Sequence, residues 1–264
     1  MRYAICFTPP IHDPLSIAAA EWLGRNVYSD VLCEQPAVAG LSHQDLAFHT
    51  AVPRRYGFHA AIKAPFALAD GMSEGQLLNQ LMRFTSDLSP FEMADVEIAW
   101  LGDFFGLAAA RPCAEMAHLA ASVVQAFDAF RAPLREEELE RLDLDKLTAP
   151  QFSNLHRWGD PHVMDEFRFH MALSGPVPVA IRQRIEEGLR LQIGPHLGKP
   201  LDIRSLALFV EPERGAPLRV HSQHPLGKLA AHRPMKRTDG GVLPPSGSVE
   251  ADVAAALHRI PASA

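Results

Sequence analysis

Cysteine is scarce in this chain. Cys6, Cys33 and Cys113 are odd in number, far apart and without a CxxC pair. That argues against a disulfide framework or a thiolate zinc site and suits a reducing compartment. Long apolar runs are missing too, and none approaches the roughly 18–20 residues of a membrane helix. The opening MRYAICFTPP holds too short an apolar run for a secretory signal, so a soluble cytoplasmic protein is expected. An excess of positive charge is also lacking. A net charge of −6 and a pI near 6.1 argue against a non-specific grip on long nucleic acid. A small phosphorylated ligand needs only a local positive spot, which net charge does not exclude. Nor does the chain contain a P-loop, a GxGxxG fingerprint, a GxSxG elbow or an HExxH pair, so none of those signatures directs the reading. His49, His59, His156, His162 and His170 could each ligate a metal, but no tight ligand spacing joins them and no metal site is expected.

What is present is order. With 47% hydrophobic residues over 264 positions, the chain can bury a substantial core. Arg2–Thr8 reads as a strand stopped by Pro9–Pro10. Asp13 and Pro14 open a helix to about Leu23, and Ser42 caps a short helix over Gln44–Thr50. A strand is expected from about Tyr56 to Ala64, then an amphipathic helix from Ser73–Glu74. Phe91–Leu101 and Phe104–Ala109 form an expected hairpin around Gly102–Asp103. Ala114–Phe130 is helical in pattern, and Arg135–Arg141 reads as a charged connector helix. A polar segment after Pro150 leads into a second strand at about Phe167–Gly175. A helix over Val179–Ile193 follows, then strands over Leu201–Glu211 and Leu218–His224.

The two strands before these helices match. GFHAAIK (Gly57–Lys63) and RFHMALS (Arg168–Ser174) each place Phe, His and an apolar run in the same frame. His59 lies 32 residues before Phe91, and His170 lies 31 before Leu201, so both halves read histidine strand, helix, strand, strand. Side chains alternate faces along a strand. Phe58, Ala60 and Ile62 then face a core, as do Phe169, Met171 and Leu173. Arg55, His59, Ala61 and Lys63 fall opposite in one strand, and Arg168, His170, Ala172 and Ser174 in the other. Two imidazoles presented to one cleft can act as general base and general acid, because an unperturbed imidazole titrates near neutrality.

YGFHAAIKAPF (Tyr56–Phe66) and EFRFHMALSG (Glu166–Gly175) resemble the paired His-x-Thr/Ser motifs of the 2H phosphoesterase superfamily. The opening RYAICFTPP, the RRYGFHA context and ALFVEPERGAPLRV are similar to one branch, the phosphonate-metabolism proteins encoded beside carbon–phosphorus lyase components. The likeness covers about residues 1–227. It implies an α+β fold, duplicated and two-lobed, with mainly antiparallel sheets, outer helices and a central cleft. Residues 1–227 would form one domain of two pseudo-symmetric halves, about 1–130 and 150–227. Residues 228–264, rich in Pro, Gly and Ser, would form a flexible tail, in which Val249–Ile260 has an amphipathic spacing.

The resemblance also implies metal-independent phosphodiester chemistry, with His59 and His170 as acid and base in an unassigned order. The Thr/Ser that would hold the phosphate oxygens is replaced at both positions, by Ala61 and Ala172. Lys63, Arg168, Ser174 and Arg55 are the candidate substitutes for phosphate binding. The expected ligand is a small phosphorylated metabolite, with no cofactor, no membrane or nucleic-acid partner, and a monomeric state. Three functions stay open: opening of a small cyclic phosphate tied to phosphonate breakdown, binding of a phosphorylated ligand without turnover, and RNA end processing. The acidic pI and the lack of an aromatic-plus-basic stripe argue against the third.

Overall fold

The structure, a computed structural model, describes residues 1–140 and 142–228. Arg141 and the expected tail beyond Lys228, including Val249–Ile260, lie outside the described residues. The fold is α+β, and every sheet is antiparallel.

Strand β1 (Arg2–Phe7) leads to helix α1 (Pro14–Leu23), capped by the Asp13 carboxylate on the Leu15 N–H and closed by Gly24 at φ 81°. Helices α2 (His43–His49) and α3 (Ala51–Tyr56) follow, then β2 (Ala60–Phe66) and α4 (Glu74–Ser86). Ser73 and Gln76 make a reciprocal capping box at the start of α4. Next come β3 (Phe91–Met93), β4 (Val96–Trp100), β5 (Phe105–Ala109) and α5 (Ala114–Ala126). The second half carries α6 (Glu136–Leu139), α7 (Ala149–Trp158), β6 (His170–Ala172) and α8 (Val179–Gln192), then β7 (Leu201–Ile203), β8 (Ser205–Glu211) and β9 (Arg219–Pro225).

Three expectations shift. The first histidine strand starts later, because Ala51–Tyr56 is helical. Pro53 fits there, since the first turn of a helix leaves its N–H groups unbonded anyway. Helix α7 replaces the expected polar segment, with a Thr148/Gln151 capping box and Gly159 in the left-handed conformation at its end. The long strand starting at Phe91 breaks before Val96, and β3 leaves the hairpin to pair with β7.

The sheet order interleaves the chain. One sheet runs β2-β1-β8-β9 and another β4-β5-β6, while β3-β7 forms a two-stranded ribbon. Each histidine strand thus lies in a sheet with a hairpin from the other half of the sequence. Strands β2 and β6 also pack beside each other. Beneath them lies the main core, where Phe58, Ala60 and Ile62 meet Phe169, Met171 and Leu173, all buried. Ala4, Cys6, Ala207 and Phe209 face the other way, into a smaller cluster with Val27 and Leu218. Among the described residues no helix is long and apolar enough to cross a membrane.

Candidate functional site

The two histidine segments are built from the backbone outward. At the first, α3 ends on Gly57, whose φ of 77° and ψ of 174° lie in a region open almost only to glycine. A Cβ there would stand 2.4 Å from Val27 Cγ2. Gly57, Phe58 and His59 carry the chain from the end of α3 at Tyr56 to the start of β2 at Ala60. Phe58 enters the core, and its carbonyl accepts a hydrogen bond from the Thr8 hydroxyl at 2.8 Å. His59 then lies off the core, half-buried, its ring 5.1 Å from that of Phe209. At the second segment, His170 pairs in register with Ala108, is exposed, and has its ring 5.8 Å from that of Phe104.

Both imidazoles are held in the same way. His59 Nδ1 lies 3.0 Å from the Gly57 carbonyl, and His170 Nδ1 lies 3.0 Å from the Arg168 carbonyl. Each contact spans two residues back along the chain. A carbonyl only accepts, so Nδ1 carries the hydrogen in each ring and Nε2 is the nitrogen that exchanges a proton. Burial pushes the His59 imidazole down to about 4, and the nearby charge of His170 lowers it further. His59 is therefore a neutral base at pH 7.

The residues around this pair divide sharply. Ala61 is exposed and Ala172 half-buried, so the positions two residues beyond each histidine offer no donor. Arg168 is exposed beside His170, with Nη1 donating to the Asp165 and Phe167 carbonyls at 2.7 and 2.8 Å. The other three expected phosphate ligands face elsewhere. Ser174 is buried, donating to the Gly175 carbonyl and accepting from the Phe105 N–H. Strand pairing ends at Ala172, and both Leu173 and Ser174 donate to the Phe105 carbonyl, so the alternation that put Ser174 beside His170 no longer applies. Arg55 belongs to α3, not to the strand, and reaches the buried Glu211 carboxylate at 3.5 Å. Lys63 keeps its strand position but is 4% exposed, because register shifts in the β1–β2 ladder draw this stretch inward.

Sequence reading also missed the aromatic partners, Phe104 and Phe209. Alternation along β8 would have found the second, since Leu206, Leu208 and Val210 face the main core while Ala207 and Phe209 face away. An open groove of about 830 Å³ runs from His170 past Phe104 and Phe167 to Met116. Among the described residues no group of three or more His, Cys, Asp or Glu side chains could hold a metal ion.

Comparison with known proteins adds a family and a neighbourhood. The model of a family described as Protein of unknown function (DUF1045) matches residues 61–219. The chain is similar to ribose 1,5-bisphosphate phosphokinase PhnN of Janthinobacterium sp. (strain Marseille), 35% identical over 223 residues, 82% of this chain and 49% of that protein. A protein of the same name from Laribacter hongkongensis (strain HLHK9) is 31% identical over 222 residues, 83% of this chain and 50% of that one. The chain thus spans about half the length of these curated relatives. Among solved structures, TT0787 of Thermus thermophilus aligns with 87% of this chain and 100% of its own at 13% identity, TM-score 0.41. A structure described as a phosphoesterase aligns over 86% and 99% at 11% identity, TM-score 0.38.

Proposed function

The chain belongs to the DUF1045 family, and from that premise we propose that it is a two-histidine phosphodiesterase of the 2H type, opening a small cyclic phosphate on a phosphorylated ribose. The observation that carries this reading is the matched pair of imidazoles, each fixed through Nδ1 to the carbonyl two residues back. His59, neutral through burial, takes a proton from water on Nε2 as the water oxygen attacks phosphorus. One ring P–O bond breaks, and His170 Nε2 gives its proton to the departing sugar oxygen. The product is a phosphate monoester. No metal is used in this scheme.

The ribose assignment draws on the relatives, whose name is that of a kinase acting on ribose 1,5-bisphosphate. The kinase activity itself is not carried over, because this chain covers about half of each relative and lacks the GxxxxGK[ST] phosphate loop. Hydrolysis of a cyclic phosphate across C1 and C2 of ribose 5-phosphate would leave a ribose bisphosphate, the chemical class on which that kinase acts.

A second reading has its own observation. Ala61 and Ala172 offer no hydroxyl, and Ser174 has spent its own on Phe105 and Gly175. Loss of one transition-state donor costs about 2.7–4 kcal/mol in other enzymes. A chain that binds phosphate without turning it over fits this deficit. Phosphorus NMR of ribose 5-phosphate 1,2-cyclic phosphate, with EDTA present, separates the two. The enzyme reading expects monoester from the wild type and none from folded His59→Ala or His170→Ala. Silence from the wild type with turnover in the Ala61→Thr/Ala172→Thr variant would establish the binding reading instead.

A further inference from the structure

At the far end of β2 from His59 lies a second, smaller cavity of about 130 Å³, partly open to solvent. A water's share of the liquid is roughly 30 Å³, so the space suits one small oxyanion. Its walls include Lys63, Arg2, Arg131, Arg135 and Arg214. Two carboxylates, Glu138 and Asp160, share them. Glu138 is already contacted by Arg2 at 3.8 Å and Arg214 at 3.6 Å. Neither His59 nor His170 contributes to the lining.

Lys63 gives the cavity its meaning. The residue is 4% exposed, and among the described residues its one carboxylate within 4 Å is Asp128 Oδ1 at 3.8 Å. That distance is beyond a hydrogen bond, and the same oxygen already accepts from Arg131 Nε at 3.0 Å. Lys63 Nζ also stands 5.5 Å from the Phe66 ring centroid, and a largely buried ammonium with only these partners still favours a further anionic one. Arg131 stands beside it with its side chain 15% exposed, backed by Gly159, where a Cβ would meet Nη1 at 2.9 Å. A cation held short of its acid, next to a guanidinium held in place, is arranged for an anion that can accept from both.

We propose that this cavity is an anion site for a phosphoryl dianion, with Lys63 and Arg131 as its ligands and Arg135 on its wall. The occupant is either free phosphate or the remote phosphoryl group of a larger ligand, and the chemistry that recognises it is the same. The site does not depend on the histidines being catalytic.

Burial, offset in part by Asp128 and Asp160, sets Lys63 at about 8, with Arg131 lowering it further. Arg2 and Glu138 face the same space. A bound dianion keeps the ammonium charged, so affinity should weaken as pH rises through about 8.

The test is calorimetric titration of the full chain with inorganic phosphate at pH 7. Its arms are the wild type, Lys63→Met, Arg131→Gln, and the double variant His59→Asn/His170→Asn. Expected are binding in the wild type and the histidine variant, at least tenfold weaker binding in Lys63→Met and Arg131→Gln, and a phosphate-dependent rise in melting temperature that Lys63→Met lacks. Circular dichroism confirms that each variant is folded. Ribose 5-phosphate competing with phosphate in the histidine variant identifies a substrate's phosphoryl group as the source, whereas absence of competition identifies free phosphate. Equal affinity in wild type and Lys63→Met, no binding at millimolar phosphate, or loss of binding in the histidine variant overturns the site. The last outcome would place phosphate at the imidazoles and leave the hydrolytic reading standing.

Discussion

His59 shows how one side chain can be read for chemistry and for stability together. Its folded-state imidazole titrates near 4, against 6.5 when unperturbed, chiefly through burial. Between those values an unfolded chain takes up a proton at this ring that the folded chain refuses, so folding stability declines as pH falls from about 6.5 towards 4. Urea melts at pH 6.5 and 4.5 should show that decline in the wild type and a shallower one in His59→Asn; equal slopes would refute it. Turnover, if His59 is the base, should hold at neutral pH and collapse as pH drops through about 4. The histidines were legible from sequence because alternation in GFHAAIK and RFHMALS sets them opposite residues that are indeed buried. Ser174, Lys63 and Arg55 were misplaced because alternation holds only where the ladder is regular. One lies past a strand end, one on a shifted ladder and one in a helix.

At the scale of elements, the joint between α3 and β2 is the most exacting piece of local structure. Gly57 supplies a positive φ and leaves space that Val27 fills. Gly57→Ala adds backbone strain of about 1–3 kcal/mol and an overpacking cost of similar size. Denaturant melts should show a loss of about 2–6 kcal/mol, and Val27→Ala in the same chain should recover part of it. No recovery would mean that the backbone angle, not the crowding, carries the cost. Helices with strong end signals were mostly legible, as at Asp13–Pro14 and Ser73–Gln76. Helix α7 was missed although Thr148, Gln151 and Gly159 carry the same signals. Its sequence APQFSNLHRW places one fully buried side chain, Leu155, in the core, so periodicity gave little to count.

Over the described molecule, the decisive feature is that neither half of the sequence owns a complete sheet. Strand β6 is completed by β5 from the first half, and β1 with β2 by β8 and β9 from the second. The ribbon β3–β7 ties the halves once more, with Met93 opposite Leu201 and both buried. A fragment of residues 1–130 or of 150–227 should therefore remain unfolded alone, and equimolar mixing should restore native circular dichroism. A folded first fragment would show that the halves are autonomous after all. The matching order of elements was visible in sequence as spacing, but the exchange of hairpins was not, because strand pairing across the chain leaves no periodic trace.

Interleaving has a consequence for how the protein is made. Arg2 pairs with Glu211 and Cys6 with Ala207, so one edge of β1 waits for a partner made 209 residues later. Until then β1 can zip only to β2, leaving a row of unpaired amides on an apolar ribbon. Contacts this distant in sequence close slowly, and an open edge held that long invites pairing with other chains.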